Sequence, residues 1–191
     1  EAVCFTENAP SPLKESYSSL GALLHQLAGV RSADSRSQRA RKIRMLFRET
    51  RALSADEERF ALGLLNALER DALGGVPNER LRAMGAAALA KALSALAEAA
   101  PRIWLLDDLH WADDSTVEFL ARFAGGGIRG WLLVMTARIG YRGRLRLPAA
   151  CRRLRLGDLT REQQSALLAG LIDLRHCAPA LRETIRNRSG G

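Results

Sequence analysis

The chain has 191 residues, 47% hydrophobic and 26% charged, which fits a globular protein with a sizeable core. No apolar run is long enough to span a bilayer, and Glu1 to Phe5 lacks the basic-then-apolar pattern of a signal peptide. The net charge of +8 is almost all arginine, since lysine stands only at Lys14, Lys42 and Lys91. Cys4, Cys151 and Cys177 form no CxxC pair, which gives neither a zinc site nor a disulfide framework, and they read as thiols of a reducing cytoplasm. The absence of an initiator Met and the ending at Ser189-Gly190-Gly191 read as a piece of a longer protein.

In chain order, Ala2 to Thr6 is a short apolar run before the polar, proline-containing stretch Glu7 to Pro12, a strand leading into a loop. A helix follows, with Leu13, Tyr17, Leu20, Leu24 and Leu27 on one face. His25 lies beside that stripe as a surface or packed residue. Ser32 to Ser37 reads as a linker and Gln38 to Arg51 as a basic helix. Ser54 and Glu57 form a capping box opening a helix whose apolar face carries Ala61, Leu64, Leu65 and Leu68. Gly74-Gly75-Val76-Pro77 breaks the chain. An alanine-rich helix then runs from about Glu79 to Ala99 and ends at Pro101.

The pattern changes at Ile103-Trp104-Leu105-Leu106, a continuously apolar run ending in Asp107-Asp108; Trp131 to Met135 is a second, ending in Thr136-Ala137-Arg138. Such runs predict strands covered on both faces, as in a parallel sheet. Between them Ser115 and Glu118 form a capping box opening a helix with Val117, Leu120, Ala121 and Ala124 on its buried face, ended by Gly125-Gly126-Gly127. The unit is βαβ, with a right-handed crossover expected. Leu154-Arg155-Leu156 reads as a further short strand. Thr160 and Gln163 cap a helix carrying Leu167, Leu168 and Leu171, and a last helix runs from about Pro179 to Arg188.

The chemistry is concentrated from Ile103 to Asp113. A buried strand fixes carboxylates at its C-terminal edge, where open α/β sheets bind ligands. One carboxylate there can hold magnesium, usually through water, and a second can orient the water attacking a γ-phosphate. The alternative is that Asp107 and Asp108 merely end a strand. Asp113 can favour the start of the following helix, whose N-terminus attracts negative charge.

Asp107-Asp108-Leu109-His110-Trp111-Ala112-Asp113 resembles the extended Walker B motif of STAND ATPases, a branch of the AAA-like P-loop NTPases. It looks most like the ATPase modules joined to bacterial adenylate cyclases and to transcriptional regulators with a LuxR-type DNA-binding domain. The resemblance is sharp from Ile103 to Arg138, diffuse before that, and recurs from Ile185 to Gly191. It implies an α/β fold, a P-loop NTPase-like parallel sheet with helices on both faces and a helical insertion over 13–100, all within one partial ATPase domain over 1–191. It further implies ATP and Mg²⁺ as ligands, with Asp107 holding the metal through water and Asp108 as the water-activating acid. AAA-type ATPases usually have Glu there, so hydrolysis is expected to be slow. Thr136 is assigned to nucleotide binding and Arg138 to sensing the γ-phosphate, against the alternative of a surface arginine. Trp111 reads as a packing wedge. His110 invites a supporting role, but no physical reason in the sequence requires a histidine.

No G-x-x-x-x-G-K-[ST] pattern occurs, and none of the lysines follows a glycine. The resemblance places the phosphate loop and the first strand just upstream of Glu1, so the chain alone is expected to bind ATP weakly. The expected function is a cytoplasmic, ATP-dependent regulatory module of signal transduction or transcription regulation. Its partners would be nucleotide, effector domains of the same parent chain and possible further copies of itself, with no membrane. Two alternatives remain: a degenerate, non-catalytic scaffold, and a nucleic-acid-binding module. The second would use Arg39, Arg41, Lys42, Arg44, Arg48 and Arg51, or Arg142, Arg144, Arg146, Arg152, Arg153 and Arg155. The lack of interleaved aromatics argues against it.

Overall fold

The computed structural model describes residues 3–9, 16–65, 76–126, 129–141, 151–171, 181, 183 and 184. Leu13, Lys14, Leu68, Gly74, Gly75, Gly127, Arg142, Arg144, Arg146, Cys177 and the end of the chain from Ile185 lie outside them. Two compact units are present, 1–150 and 151–191.

In the first unit, the three apolar runs form strands β1 (Val3–Glu7), β2 (Arg102–Asp107) and β3 (Trp131–Met135). They are parallel and lie in the order β1-β2-β3. Among the described residues four helices lie between β1 and β2: α1 (Ser18–Leu27), α2 (Arg36–Thr50), α3 (Ala55–Leu64) and α4 (Asn78–Ala99). The described part of the stretch expected to be mostly helical is so. Helix α5 (Asp114–Gly125) connects β2 to β3. Helix α2 begins two residues before its expected start, because Ser35 and Gln38 form a reciprocal capping box inside the supposed linker. The box at Ser54 and Glu57 is present as read. That at Ser115 and Glu118 is not: Asp113 is the N-cap of α5 and accepts from the Thr116 N–H. A carboxylate placed two residues earlier starts the helix sooner, so Ser115 lies inside its first turn.

Register puts Cys4, Trp104 and Leu133 in one row and Thr6, Leu106 and Met135 in the next. This face of the sheet packs into the core with Leu20, Leu23, Leu24, Ile43, Phe47, Leu89, Leu93 and Leu120. The Trp104 indole N–H, wholly buried, donates to Thr6 Oγ1 at 2.9 Å, so the largest core side chain leaves no polar atom unpaired. Helices α3 and α4 approach closely at Gly85, where a Cβ would lie 2.8 Å from the Phe60 carbonyl oxygen.

The opposite face carries Val3, Phe5, Ile103, Leu105, Leu132 and Val134. Val3, Phe5, Leu132 and Val134 are exposed, between 43% and 57%. Among the described residues the sheet is therefore buried on one face, where the apolar runs predicted burial on both. The reason is topological. Right-handed crossovers that move always in the direction β1 to β2 to β3 carry their helices over the same face.

In the second unit, Thr160 and Gln163 bond reciprocally and open α6 (Arg161–Leu171). Leu154-Arg155-Leu156 is not a strand: the leucines are 73% and 82% exposed and the segment joins no sheet. Three residues without a partner ladder do not hold an extended conformation. Leu181, Glu183 and Thr184 are helical, and the rest of the expected last helix lies outside the described residues.

Among the described residues no helix is long and apolar enough to cross a membrane.

Candidate functional site

Asp107, Asp108 and Thr136 meet at the C-terminal edge of the sheet. The ladder between β2 and β3 continues one step beyond β3, with Thr136 N–H donating to Leu106 O at 3.0 Å and Leu109 N–H to Thr136 O at 2.9 Å. This fixes the threonine backbone beside the two acids. The Thr136 hydroxyl then donates to Asp107 Oδ1 and accepts from the Asp108 N–H at 3.0 Å. Asp107 Oδ1 accepts the same Asp108 N–H at 3.1 Å. Among the described residues no hydrogen bond is made by Asp107 Oδ2.

Asp108 has φ 53° and ψ 46°, a left-handed conformation. That region is uncommon for a residue with a side chain and persists where the surroundings enforce it. Here the two hydrogen bonds to its N–H enforce it. A 3-10 turn over Leu109–Trp111 follows directly.

The main chain of Asp107 is held from β1. Asn8, buried at the end of that strand, donates from its side chain to Asp107 O at 2.7 Å and from its backbone at 3.2 Å. The Ser19 hydroxyl of α1 holds Asn8 Oδ1 in turn. Asn8 does not stand out in the sequence as a site residue. Its only signal is a polar residue directly after an alternating strand, which a loop start explains equally well. Glu7 sits opposite Asp107 in the register and is exposed, so the edge carries three acids side by side in Glu7, Asp107 and Asp108.

Arg138 does not join them. Its guanidinium stands over Trp111, 5.9 Å from the ring centre, at cation–π range. The Trp111 ring in turn lies 5.1 Å from His110. Trp111 thus has a second contact beyond the packing expected of it.

No cluster of three or more His, Cys, Asp or Glu able to hold a metal exists among the described residues. One carboxylate with an unengaged oxygen suits an ion that keeps several waters and takes its other ligands from phosphate.

The first arginine cluster is partly spent inside the molecule. Lys42 pairs with Asp34 at 2.7 Å, and Arg44 and Arg48 pair with Glu58 at 2.7 and 3.5 Å. The Arg39 Nε–H donates to Asp34 O. Of the second cluster, Arg152, Arg153 and Arg155 are exposed. No protein-family model, curated protein or solved structure matches the chain.

Proposed function

We propose that the chain is the metal-holding half of a magnesium-dependent ATPase module, cytoplasmic and regulatory, of the STAND kind. The observation that carries this reading is the joint placement of Asp107, Asp108 and Thr136 at the sheet edge. A strand that merely ended in two acids would not need a threonine from the next strand to hold one of them, nor a left-handed backbone at the other. In this reading Asp107 holds magnesium through the oxygen it leaves unengaged, and Thr136 fixes that carboxylate. The ion would offset phosphate charge. Asp108 orients the attacking water and receives its proton. Arg138 leaves Trp111 for the γ-phosphate and so distinguishes ATP from ADP.

The architecture supports a phosphate loop supplied from elsewhere in the parent chain. The outer edge of β1 is closed, because the Gln26 side chain bonds both the N–H and the carbonyl of Phe5, as a neighbouring strand would. Among the described residues β3 has no partner on its other side. A strand added there and leading to β1 would run its right-handed crossover over the exposed apolar face. The turn leaving that strand would lie at the same edge as Asp107.

The experiment is Asp107→Asn and Asp108→Asn in the parent protein, with ATP turnover and melting temperature measured together. Turnover should fall at least about a hundredfold in each with melting nearly unchanged. Undiminished turnover in Asp107→Asn would remove this residue from the site.

A further inference from the structure

His110 is held in an unusual way. Its side chain retains 10% of its surface, and both ring nitrogens are buried without a hydrogen-bond partner among the described residues. A buried polar group left unpaired costs about 1–3 kcal/mol. Packing against Trp111 does not require that cost, since a phenyl ring would fill the same place. The nitrogen facing an acid is Nδ1, 3.6 Å from Asp108 Oδ1. That is just too long for a hydrogen bond. Asp108 can close the gap. Its backbone is pinned by Thr136 and Asp107, but its side chain is 45% exposed, so its torsions are free to turn.

We propose that His110 is a positioning residue for Asp108: its Nδ1–H donates to one carboxylate oxygen and turns the other toward the sheet edge beside Asp107. This assignment rests on the ATPase reading above. It gives the histidine a role that neither Phe nor Leu could fill. It also explains why the acid sits on a pinned backbone: with the main chain fixed, one hydrogen bond is enough to set the carboxylate. Without it, the acid samples several rotamers, and only some of them direct an oxygen at the water.

The test uses the parent protein labelled with ¹⁵N-histidine, with the His110 signals identified by their absence from His110→Asn. In alkaline buffer the His110 ring should carry its proton on Nδ1, and Asp108→Ala should move it to Nε2, the tautomer that a free neutral histidine side chain prefers. A proton on Nε2 in the wild type, or a spectrum that Asp108→Ala leaves unchanged, would overturn the pairing. Steady-state ATP turnover supplies the second arm. His110→Asn, which keeps a donor near the place of Nδ1, should retain kcat within about threefold, while His110→Phe, which keeps the ring but not the donor, should lower kcat about tenfold at unchanged KM. Equal loss in both variants, or none in His110→Phe, would also overturn the proposal. A wild type without turnover would instead sink the ATPase reading, and the tautomer would still decide whether His110 holds Asp108.

Discussion

Tyr17 and Asp113, 96 residues apart, are joined by a buried hydrogen bond of 2.9 Å from the Tyr17 N–H to Asp113 Oδ1. The same carboxylate accepts from the Ser18 N–H and hydroxyl, both at 3.2 Å, and from the Thr116 N–H and hydroxyl at 2.9 and 2.6 Å. One side chain therefore caps α1 and α5 together, and ties the turn after Asp108 to the helix that holds Asn8. Asp113→Ala leaves several buried donors unpaired, and should lower stability by about 3 kcal/mol. Asp113→Asn should cost nearly as much, because its amide would face donors with a donor. Urea unfolding checks both, and a loss below about 1 kcal/mol would mean that water replaces the cap.

The double cap also marks where the sequence can and cannot be read. A carboxylate before a helix announces one cap, and the expectation for Asp113 as support for that helix start is met. Its second helix is 96 residues away, and no local pattern encodes it. The strands were legible because Ile103 to Leu106 and Trp131 to Met135 are apolar throughout. The exposure of Val3, Phe5, Leu132 and Val134 was not, because an apolar face records only that something can cover it. Leu154-Arg155-Leu156 alternates like a strand, but three residues specify no partner. At the site, the two acids were legible as a pair, and Thr136 as the end of a strand. That Arg138 stands on Trp111 depends on how the two loops fold back, which spacing does not show.

Thr136→Val should lower turnover of the parent about tenfold with little change in melting. The hydroxyl bridges Asp107 and the Asp108 N–H, the valine keeps the volume, and the residue is exposed. Thr136→Ser should restore the rate. Equal rates for Val and Thr would show that Asp107 is oriented without the hydroxyl.

Gln26→Ala should open the outer edge of β1. The variant exposes the N–H and carbonyl of Phe5 on a strand whose outer face already shows Val3 and Phe5 to solvent. Faster hydrogen exchange at Phe5 and concentration-dependent association are expected. An unchanged exchange rate at that amide would mean that Gln26 does not close the edge.

Burial, and then the Arg39 guanidinium, hold His25 below the ordinary imidazole value. The unfolded chain takes up this proton near pH 6.5, whereas the folded chain resists it. The contribution to stability is thus complete above about pH 6.5 and is lost as pH falls toward and through the folded value. His25→Gln should flatten the fall of melting temperature over that interval. A parallel pH profile in wild type and variant would assign the acid sensitivity to other groups.

The central claim is that Asp107 holds magnesium for a bound nucleotide, and calorimetric titration of ATP into the parent protein tests it most directly. Wild type and Asp107→Asn would be compared in magnesium and in chelator. The account predicts that magnesium tightens ATP binding to the wild type at least about tenfold, that Asp107→Asn abolishes most of this gain, and that the two proteins bind equally in chelator. An equal magnesium effect in both proteins would contradict it.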